Sequence, residues 1–187
     1  SATSLIKHLN RVTENALIRS EIFGALSARL TGHKPDSLRQ GWYNLMFNQF
    51  HDVLCGCSIR EAYEDARVQL DEARSIAARA ENAALQKISW AVDTVGGKES
   101  HFRLWELDGL GTPVVVFNPH PFTAKAQIQV YGAVKYAADE SDVETPIQTV
   151  RAIRTNGEDK WDSLFVAEVP PMGYRLYWIY LDEKGRA

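Results

Sequence analysis

The stretch NQFHDVLCGCSI, Asn48–Ile59, contains the side chains of this sequence that are best suited to chemistry. His51 and Asp52 are adjacent, and Cys55 and Cys57 are separated by one glycine. Neutral imidazole is a common zinc ligand, and imidazole and carboxylate groups together suit several divalent ions. Two interpretations stay open. His51 is either a structural histidine bonded to nearby backbone, with Asp52 capping a turn, or a metal ligand.

The rest of the sequence offers few further ligands for a metal bound by His51. A zinc site uses about three or four protein ligands. The other histidines, which show no ligand spacing relative to His51, are His8, His33, His101 and His120. The spacing of Cys55 and Cys57 is shorter than the usual zinc-binding spacer, and a disulfide across one residue would be strained. We therefore expect small buried thiols at Cys55-Gly56-Cys57, in a turn, and a buried loop around His51.

Helical patterns precede and follow this stretch. Apolar residues recur every three or four positions from Leu5 to about Leu30, which predicts an amphipathic helix. We expect that helix to stop at Gly32, shortly before Pro35. The apolar positions of this stripe are Leu5, Leu9, Val12, Ala16, Phe23, Leu26 and Leu30.

Two more helices are predicted. Asp36 or Ser37 can cap a short helix that runs to about Phe47, and Ser58 with Glu61 has the spacing of a capping box. The last helix would pack through a seam dominated by alanine. The seam positions are Ile59, Ala62, Ala66, Leu70, Ala73, Ala77, Ala80, Ala84 and Ile88. Three antiparallel helices with short joins make a bundle.

Beyond residue 97 the pattern becomes that of strands. Short β-branched or alternating runs end at turn residues, as in TPVVVFNPHPF, AQIQVYGAV, TPIQTVRAIR, DSLFVAEVP and YRLYWIYL. Turns are expected at Asn156-Gly157 and Pro170–Gly173. The sequence therefore predicts an α+β chain, with a three-helix bundle over residues 1–92 and an antiparallel, β-sandwich-like domain over residues 98–187. The tryptophans expected in cores or domain contacts are Trp42, Trp90, Trp105, Trp161 and Trp178.

Composition excludes several classes of partner. The chain has 187 residues, a formal net charge of −3 and a pI near 6.0, so nothing favours binding to nucleic acid or to an anionic membrane. No apolar run approaches the ~20 residues that a membrane span needs. Two closely spaced cysteines without other partners favour a reducing compartment, the cytoplasm. Because the sequence begins at Ser1 without methionine, we expect a processed chain or a piece of a longer protein.

The residues around His51 and Asp52 carry a family resemblance. NQFHDVLCGCSIREAYEDA resembles a segment of glycoside hydrolase family 38, the retaining α-mannosidases, that reads N-Q-F-H-D-[IV]-[LI]-P-G-[ST]-S-I-x-x-[VA]-Y-x-D-A. Upstream, SLIKHLNRVTENALIRSE is similar to that family's entry into its middle helical domain. Downstream, VVVFNPHPF and VPPMGYRLYWI are similar to the opening strands of its C-terminal β-domain. The pieces follow the family's order and cover almost the whole chain, although the family usually has proline at the position of Cys55 and serine or threonine at that of Cys57.

The resemblance implies a fragment of a retaining, metal-dependent α-mannosidase-like hydrolase. His51 would be a ligand of the active-site zinc, and Asp52 would accept hydrogen bonds from sugar hydroxyls near the metal. The aspartate nucleophile and the remaining zinc ligands would belong to an N-terminal α/β barrel-like domain that these 187 residues do not contain. No catalytic carboxylate is therefore expected in this chain. Alone, it should neither hydrolyse α-mannosides nor hold zinc tightly.

Two other functions compete with this interpretation. A non-catalytic helical and β module could mediate interdomain packing or bind carbohydrate. A helical partner-binding protein is a third possibility, although packing inside the bundle already explains the apolar seam of the last helix. An upstream reading frame that encodes an His-x-Asp metal pair and a further aspartate would favour the enzyme.

Overall fold

A computed structural model describes residues 4–94, 111–153 and 160–180. The chain divides into two compact units, Ser1–Val92 and Asp93–Ala187. The first is helical and the second is built of strands, as the α+β prediction requires. The predicted turn at Asn156-Gly157 and the side chain of Trp105 lie outside the described residues. No helix within the described ranges is long and apolar enough to cross a membrane.

The helical unit contains three packed helices and one short turn of helix. They are α1 Ser4–Thr31, α2 Arg39–Phe47, α3 His51–Leu54 and α4 Arg60–Trp90. The predicted stop of α1 is confirmed, because Gly32 adopts φ +73°, a left-handed conformation that glycine tolerates. The sequence did not predict α3, which holds the candidate site.

The helix directions confirm the antiparallel bundle expected from the sequence, in which each long helix runs opposite to the one before it. Ile6 lies beside Tyr63, and farther along both helices the Ser20 hydroxyl donates to the Ala77 carbonyl at 2.8 Å. Helices α1 and α4 are therefore parallel, and α2 runs in the opposite direction between them. The chain returns from the end of α1 partly as an extended segment, in which Pro35 lies close to the α1 backbone at Gly24.

The α4 seam is confirmed from Ala66 to Ile88, but its first predicted position, Ile59, is 68% exposed. The α1 stripe is partly wrong. All predicted α4 positions from Ala66 to Ile88 are buried. On α1, however, Leu5 and Leu30 are 46% and 64% exposed, and small polar residues take part in the buried face. Ser20 shows why, since its hydroxyl bonds the carbonyl of Ala16 in its own helix as well as that of Ala77. Such a short side chain satisfies its hydroxyl and still lets two backbones approach. The buried polar residues of α1 are Asn10, Thr13, Ser20 and Ser27.

The predicted cap of α4 is wrong, and that of α2 is displaced by one residue. The first residue before α4 is Ile59, not Ser58, and no side chain caps it. Ser58 instead uses its backbone N–H to donate to the Tyr63 hydroxyl at 2.8 Å. Because α4 begins at Arg60, Glu61 is its second residue and not the third, which a capping box requires. Helix α2 follows Leu38, which has no capping side chain, and the preceding Ser37 accepts the Arg39 N–H with its Oγ at 3.4 Å.

The β unit is a sandwich of two antiparallel sheets. Its strands in the described residues are β1 Thr112–Asn118, β2 Ala124–Tyr131, β3 Tyr136–Asp139, β4 Glu144–Thr145, β5 Gln148–Arg151, β6 Trp161–Val169 and β7 Gly173–Tyr180. One sheet has the order β1-β7-β3-β4 and the other β2-β6-β5. Phe165 and Tyr177, one from each sheet, meet with ring centroids 5.1 Å apart in the core. The predicted β-sandwich-like architecture is confirmed, although β3 was not predicted.

Two of the tryptophans are not core residues. Trp90 is 81% exposed and Trp161 is 50% exposed, because they occupy the last turn of α4 and the first position of β6. Trp42 packs against the helical core, and Trp178 is half-buried in β7. The expectation of a core position holds for residues inside an element and fails at element ends, whereas the expectation of domain contacts stays a prediction.

Asn118 should contribute strongly to the stability of the β unit. Its buried amide donates to the carbonyls of Phe122, Val169 and Pro170 at 2.7–3.1 Å, and its oxygen accepts the His120 N–H at 2.9 Å. Replacing Asn118 by alanine should lower the free energy of unfolding by about 3 kcal/mol, since several backbone groups lose their partner. Urea unfolding, monitored through the hydrogen-exchange protection of the strand amides, measures this loss.

Gln127→Ala is the matched control for Asn118→Ala. Gln127 lies on β2 with an exposed side chain, so its loss should change the stability by less than about 0.5 kcal/mol. Equal effects of the two substitutions would show that the Asn118 hydrogen bonds are not what holds this turn.

Candidate functional site

Helix α3 presents His51 and Asp52 outward from the helical unit. The single turn His51–Leu54 is anchored by Val53, which packs against the helical core. The His51 side chain is 79% exposed and that of Asp52 is 51% exposed. The buried loop expected from the sequence is therefore wrong, because the apolar residue of the turn points inward and leaves the polar pair on the surface.

The two polar side chains lie within hydrogen-bond distance of each other. His51 Nε2 is 3.2 Å from Asp52 Oδ1, a charged pair only when the imidazole is protonated. The Phe50 ring lies 4.4 Å from the His51 ring, centroid to centroid, at a tilt of 51°. The site thus offers an imidazole, which can ligate a metal when neutral, next to a carboxylate, which can accept hydrogen bonds or bind a cation.

Asn48 and Asn44 fix this segment to α4, and sequence reasoning missed both. Asn48 is 3% exposed, and its amide donates to the Asn44 carbonyl at 2.8 Å and to Gln69 Oε1 at 2.7 Å. The Asn44 amide donates to the Gln69 carbonyl at 3.2 Å and to Glu72 Oε2 at 2.9 Å. An asparagine within an otherwise apolar, helix-forming stretch was the available signal.

The Cys55-Gly56-Cys57 segment is a turn, as predicted, with Gly56 at φ +90°. Its thiols are free and exposed, which corrects the expectation of buried thiols. Their Sγ atoms lie 3.0 Å apart. The turn closes on α3, because the Cys57 N–H donates to the Asp52 carbonyl at 3.3 Å.

The pKa of the Cys57 thiol is raised above its ordinary value. The largest cause is its hydrogen bond with Cys55; desolvation and the negative charges of Cys55 and Asp52 add to it. Because the thiolate is the nucleophile, Cys57 should be alkylated slowly below this pKa. In the Cys55→Ser variant, the midpoint of the pH profile of Cys57 alkylation should move to lower pH. Iodoacetamide labelling with mass spectrometry measures it, and an unchanged midpoint would remove Cys55 as the main cause.

The chemistry of these side chains fits part of a zinc shell. His51 supplies one imidazole and Asp52 one carboxylate, both of them accepted zinc ligand types. Within the ranges that the structure describes, no group of three or more histidine, cysteine, aspartate or glutamate side chains is placed to hold a metal ion. A zinc ion at His51 would therefore need ligands from outside these residues.

An exposed apolar patch adjoins the site. It consists of Met46, Phe47 and Phe50, which line, with Gln49 and the half-buried Val53, a surface depression of about 580 Å³. Phe47 is 71% exposed and Phe50 is 55% exposed. Because Phe50 also contacts the His51 ring, the apolar patch and the polar pair form one continuous surface. Clustered exposed aromatic residues of this kind mark interaction surfaces.

The first 88 residues match the family model of the alpha mannosidase middle domain. This part of the chain belongs to that family. It includes all of α1, α2 and α3 and nearly all of α4, so the middle domain carries the His51–Asp52 pair. The resemblance to glycoside hydrolase family 38 seen in the sequence is confirmed over this domain. No curated protein matches the chain.

The similarity of this chain to solved structures extends beyond the middle domain. A protein of glycosyl hydrolase family 38 from Enterococcus faecalis matches 98% of this chain and 25% of its own, at 17% identity and a TM-score of 0.73. An alpha-mannosidase from the same species matches 92% of this chain and 22% of its own, at 16% identity and a TM-score of 0.58. The chain therefore spans about a quarter of the length of these proteins, and its β unit shares their fold together with the middle domain.

Proposed function

We propose that this chain is the central part of a retaining, metal-dependent α-mannosidase-like glycoside hydrolase. In the complete enzyme, His51 ligates a zinc ion and Asp52 accepts hydrogen bonds from the hydroxyls of a terminal α-mannoside. The observation that carries the proposal is an exposed His-Asp pair on the surface of an alpha mannosidase middle domain. A histidine with a purely structural role has no need to be exposed, whereas a metal ligand shared with another domain must be accessible.

The remaining parts of the active site come from an N-terminal domain of the same parent chain. The apolar patch beside His51 supports this arrangement, because Phe47 and Phe50 would be covered by a docked domain. Retention of configuration needs two carboxyl groups about 5–5.5 Å apart, one as nucleophile and one as general acid and base. We assign both to that N-terminal domain.

Within this site the residues of this chain bind and orient. A bound zinc ion would supply Lewis-acid character and a fixed point for substrate hydroxyls. In its neutral form, the His51 imidazole would ligate that ion. Asp52 would fix a sugar hydroxyl by a charge-assisted hydrogen bond. The buried Asn48 amide keeps α3 against α4, and so keeps both side chains at one position.

The complete parent protein tests the proposal. It should hydrolyse an aryl α-mannoside with retention of the anomeric configuration. Proton NMR of the released sugar measures that configuration. Prolonged chelation should remove the activity, and added Zn²⁺ should restore it. Inversion, or full activity without metal, would contradict the proposed mechanism.

We also propose that this enzyme is cytoplasmic, in line with two thiols that are free.

The isolated 187-residue chain should not turn over an aryl α-mannoside. It should also bind Zn²⁺ only weakly in calorimetric titration, because one imidazole and one carboxylate leave most of the coordination shell to water. Addition of the parent's N-terminal domain is the positive control. Turnover by the chain alone would place the catalytic carboxyl groups within it.

A further inference from the structure

The two thiols of Cys55 and Cys57 have no part in the proposed hydrolysis, yet they sit against one of its residues. The Sγ atoms are 3.0 Å apart and both side chains are exposed. A disulfide bond is about 2.05 Å long, so the sulfurs need to approach by only about 1 Å. Gly56, with φ +90°, provides the chain reversal that brings them together.

Both thiols also contact Asp52. Cys57 Sγ lies 3.7 Å from the Asp52 carbonyl oxygen and 3.8 Å from Oδ1, and Cys55 Sγ lies 4.0 Å from the same carbonyl. Each thiol has one proton, so it donates a weak S–H hydrogen bond to one of these acceptors at a time. These hydrogen bonds need the thiol protons, which are lost when the two cysteines form a disulfide. The redox state of the pair therefore changes the surroundings of Asp52, next to His51.

We propose that Cys55 and Cys57 form a reversible dithiol–disulfide switch that acts on Asp52. The switch closes at the expense of a low-molecular-weight disulfide such as oxidised glutathione. One cysteine thiolate attacks that disulfide, forming a mixed disulfide and releasing one small thiol. The second cysteine thiolate then attacks the protein sulfur of the mixed disulfide and expels the second small thiol. Two electrons pass to the small disulfide, and the two cysteine protons end on the two thiols released.

The one-residue spacing makes this bond responsive to the surroundings. A disulfide across a single residue is strained, and strained, exposed disulfides have oxidising potentials and are readily reduced. The pair therefore stays as two thiols in a reducing compartment and closes under oxidative stress. Closure removes both S–H donors from Asp52 and tightens the turn that follows α3.

Closure can be measured on the 187-residue chain, which has no other cysteine. After equilibration with mixtures of reduced and oxidised glutathione and an acid quench, the native monomer should lose the mass of two hydrogens and both free thiols. Cys55→Ser and Cys57→Ser should instead form only a glutathione adduct. The proposal fails if the unsubstituted chain remains a dithiol, or yields only adducts or disulfide-linked dimers.

The contribution of the fold is tested by the equilibrium constant for closure. It should be higher in the native chain than in urea, because the native turn holds the sulfurs together. Gly56→Ala should lower it in the native chain, since alanine disfavours φ +90°. Gly132→Ala is the matched control, with a similar φ of +87° in the β unit, and should leave closure unchanged. A constant no higher in the native chain than in urea would overturn the proposal.

Coupling to the site is tested by NMR. The carboxyl carbon of Asp52 should shift between the reduced and oxidised chains, and the same oxidant should leave it unchanged in a chain with both cysteines replaced by serine. An Asp52 carboxyl signal that does not shift when the disulfide forms would overturn the proposed action on Asp52. None of these experiments measures hydrolysis, so failure here would leave the proposed function standing, and failure of the proposed function would leave this result standing.

Discussion

Replacing His51 by alanine in the complete parent protein should remove the bound metal and the hydrolytic activity together. The imidazole is the metal ligand that this chain contributes in the proposed site, and its side chain is 79% exposed, so its loss should not disturb the helical core. Changes in residues that merely orient a ligand typically cost about 10–100-fold in affinity or activity. Loss of the ligand itself should therefore lower kcat/KM at least ~100-fold. Metal analysis of the purified variant, together with kinetics on an aryl α-mannoside, measures both losses.

His33→Ala is the matched control for this experiment. His33 is also exposed and lies just beyond the far end of α1, so its replacement should leave metal content and activity unchanged. Asp52→Asn separates the two proposed roles, since it should keep the metal while raising KM or lowering kcat. The ligand assignment would be wrong if His51→Ala kept activity within a few-fold of the unsubstituted enzyme.

Replacing Leu70 by alanine should destabilise the helical unit by about 3 kcal/mol. Leu70 is fully buried at 0% exposure, in the core between α4 and α1. Buried leucine to alanine changes cost roughly 2–5 kcal/mol, from lost burial and from the cavity that remains. Because the neighbours in the seam are alanines, whose methyl side chains cannot change rotamer to fill a cavity, we expect little relaxation. Urea unfolding followed by far-ultraviolet circular dichroism, dominated by α1 and α4, measures the loss.

Val68→Ala is the control on the same helix. Val68 is 70% exposed, and its replacement should change the free energy of unfolding by less than about 0.5 kcal/mol. Comparable losses from the two substitutions would mean that the Leu70 position does not form the core of the bundle.

The success of sequence reasoning varied between helices for a physical reason. In α4, the inward positions from Ala66 to Ile88 are apolar, so periodicity alone identifies the buried face. In α1, Thr13, Ser20 and Ser27 share that face, and their polarity conceals it from a hydrophobic pattern. The Ser20 hydroxyl is acceptable there because its partner, the Ala77 carbonyl, lies 57 residues away in sequence, on α4.

Helix starts and chain reversals were less predictable than helix interiors. The Ser58-x-x-Glu61 spacing suggested a capping box, but the Tyr63 hydroxyl takes the Ser58 amide and α4 begins one residue later. Strand β3, Tyr136–Asp139, has only four residues. It is defined by pairing with β7, which no local pattern encodes.

The candidate site likewise has features that the sequence predicts and features that it does not. The identity of His51 and Asp52 and their family resemblance could be read from consecutive residues, because the chemistry of a side chain is local. Their exposure could not, since it depends on Val53 packing inward and on Asn48 bonding to Gln69 of α4. The approach of Cys55 to Cys57 likewise depends on the backbone at Gly56. Residue types and periodicity are properties of neighbours in sequence, whereas exposure and the contacts of this segment with α4 arise from residues brought together by folding.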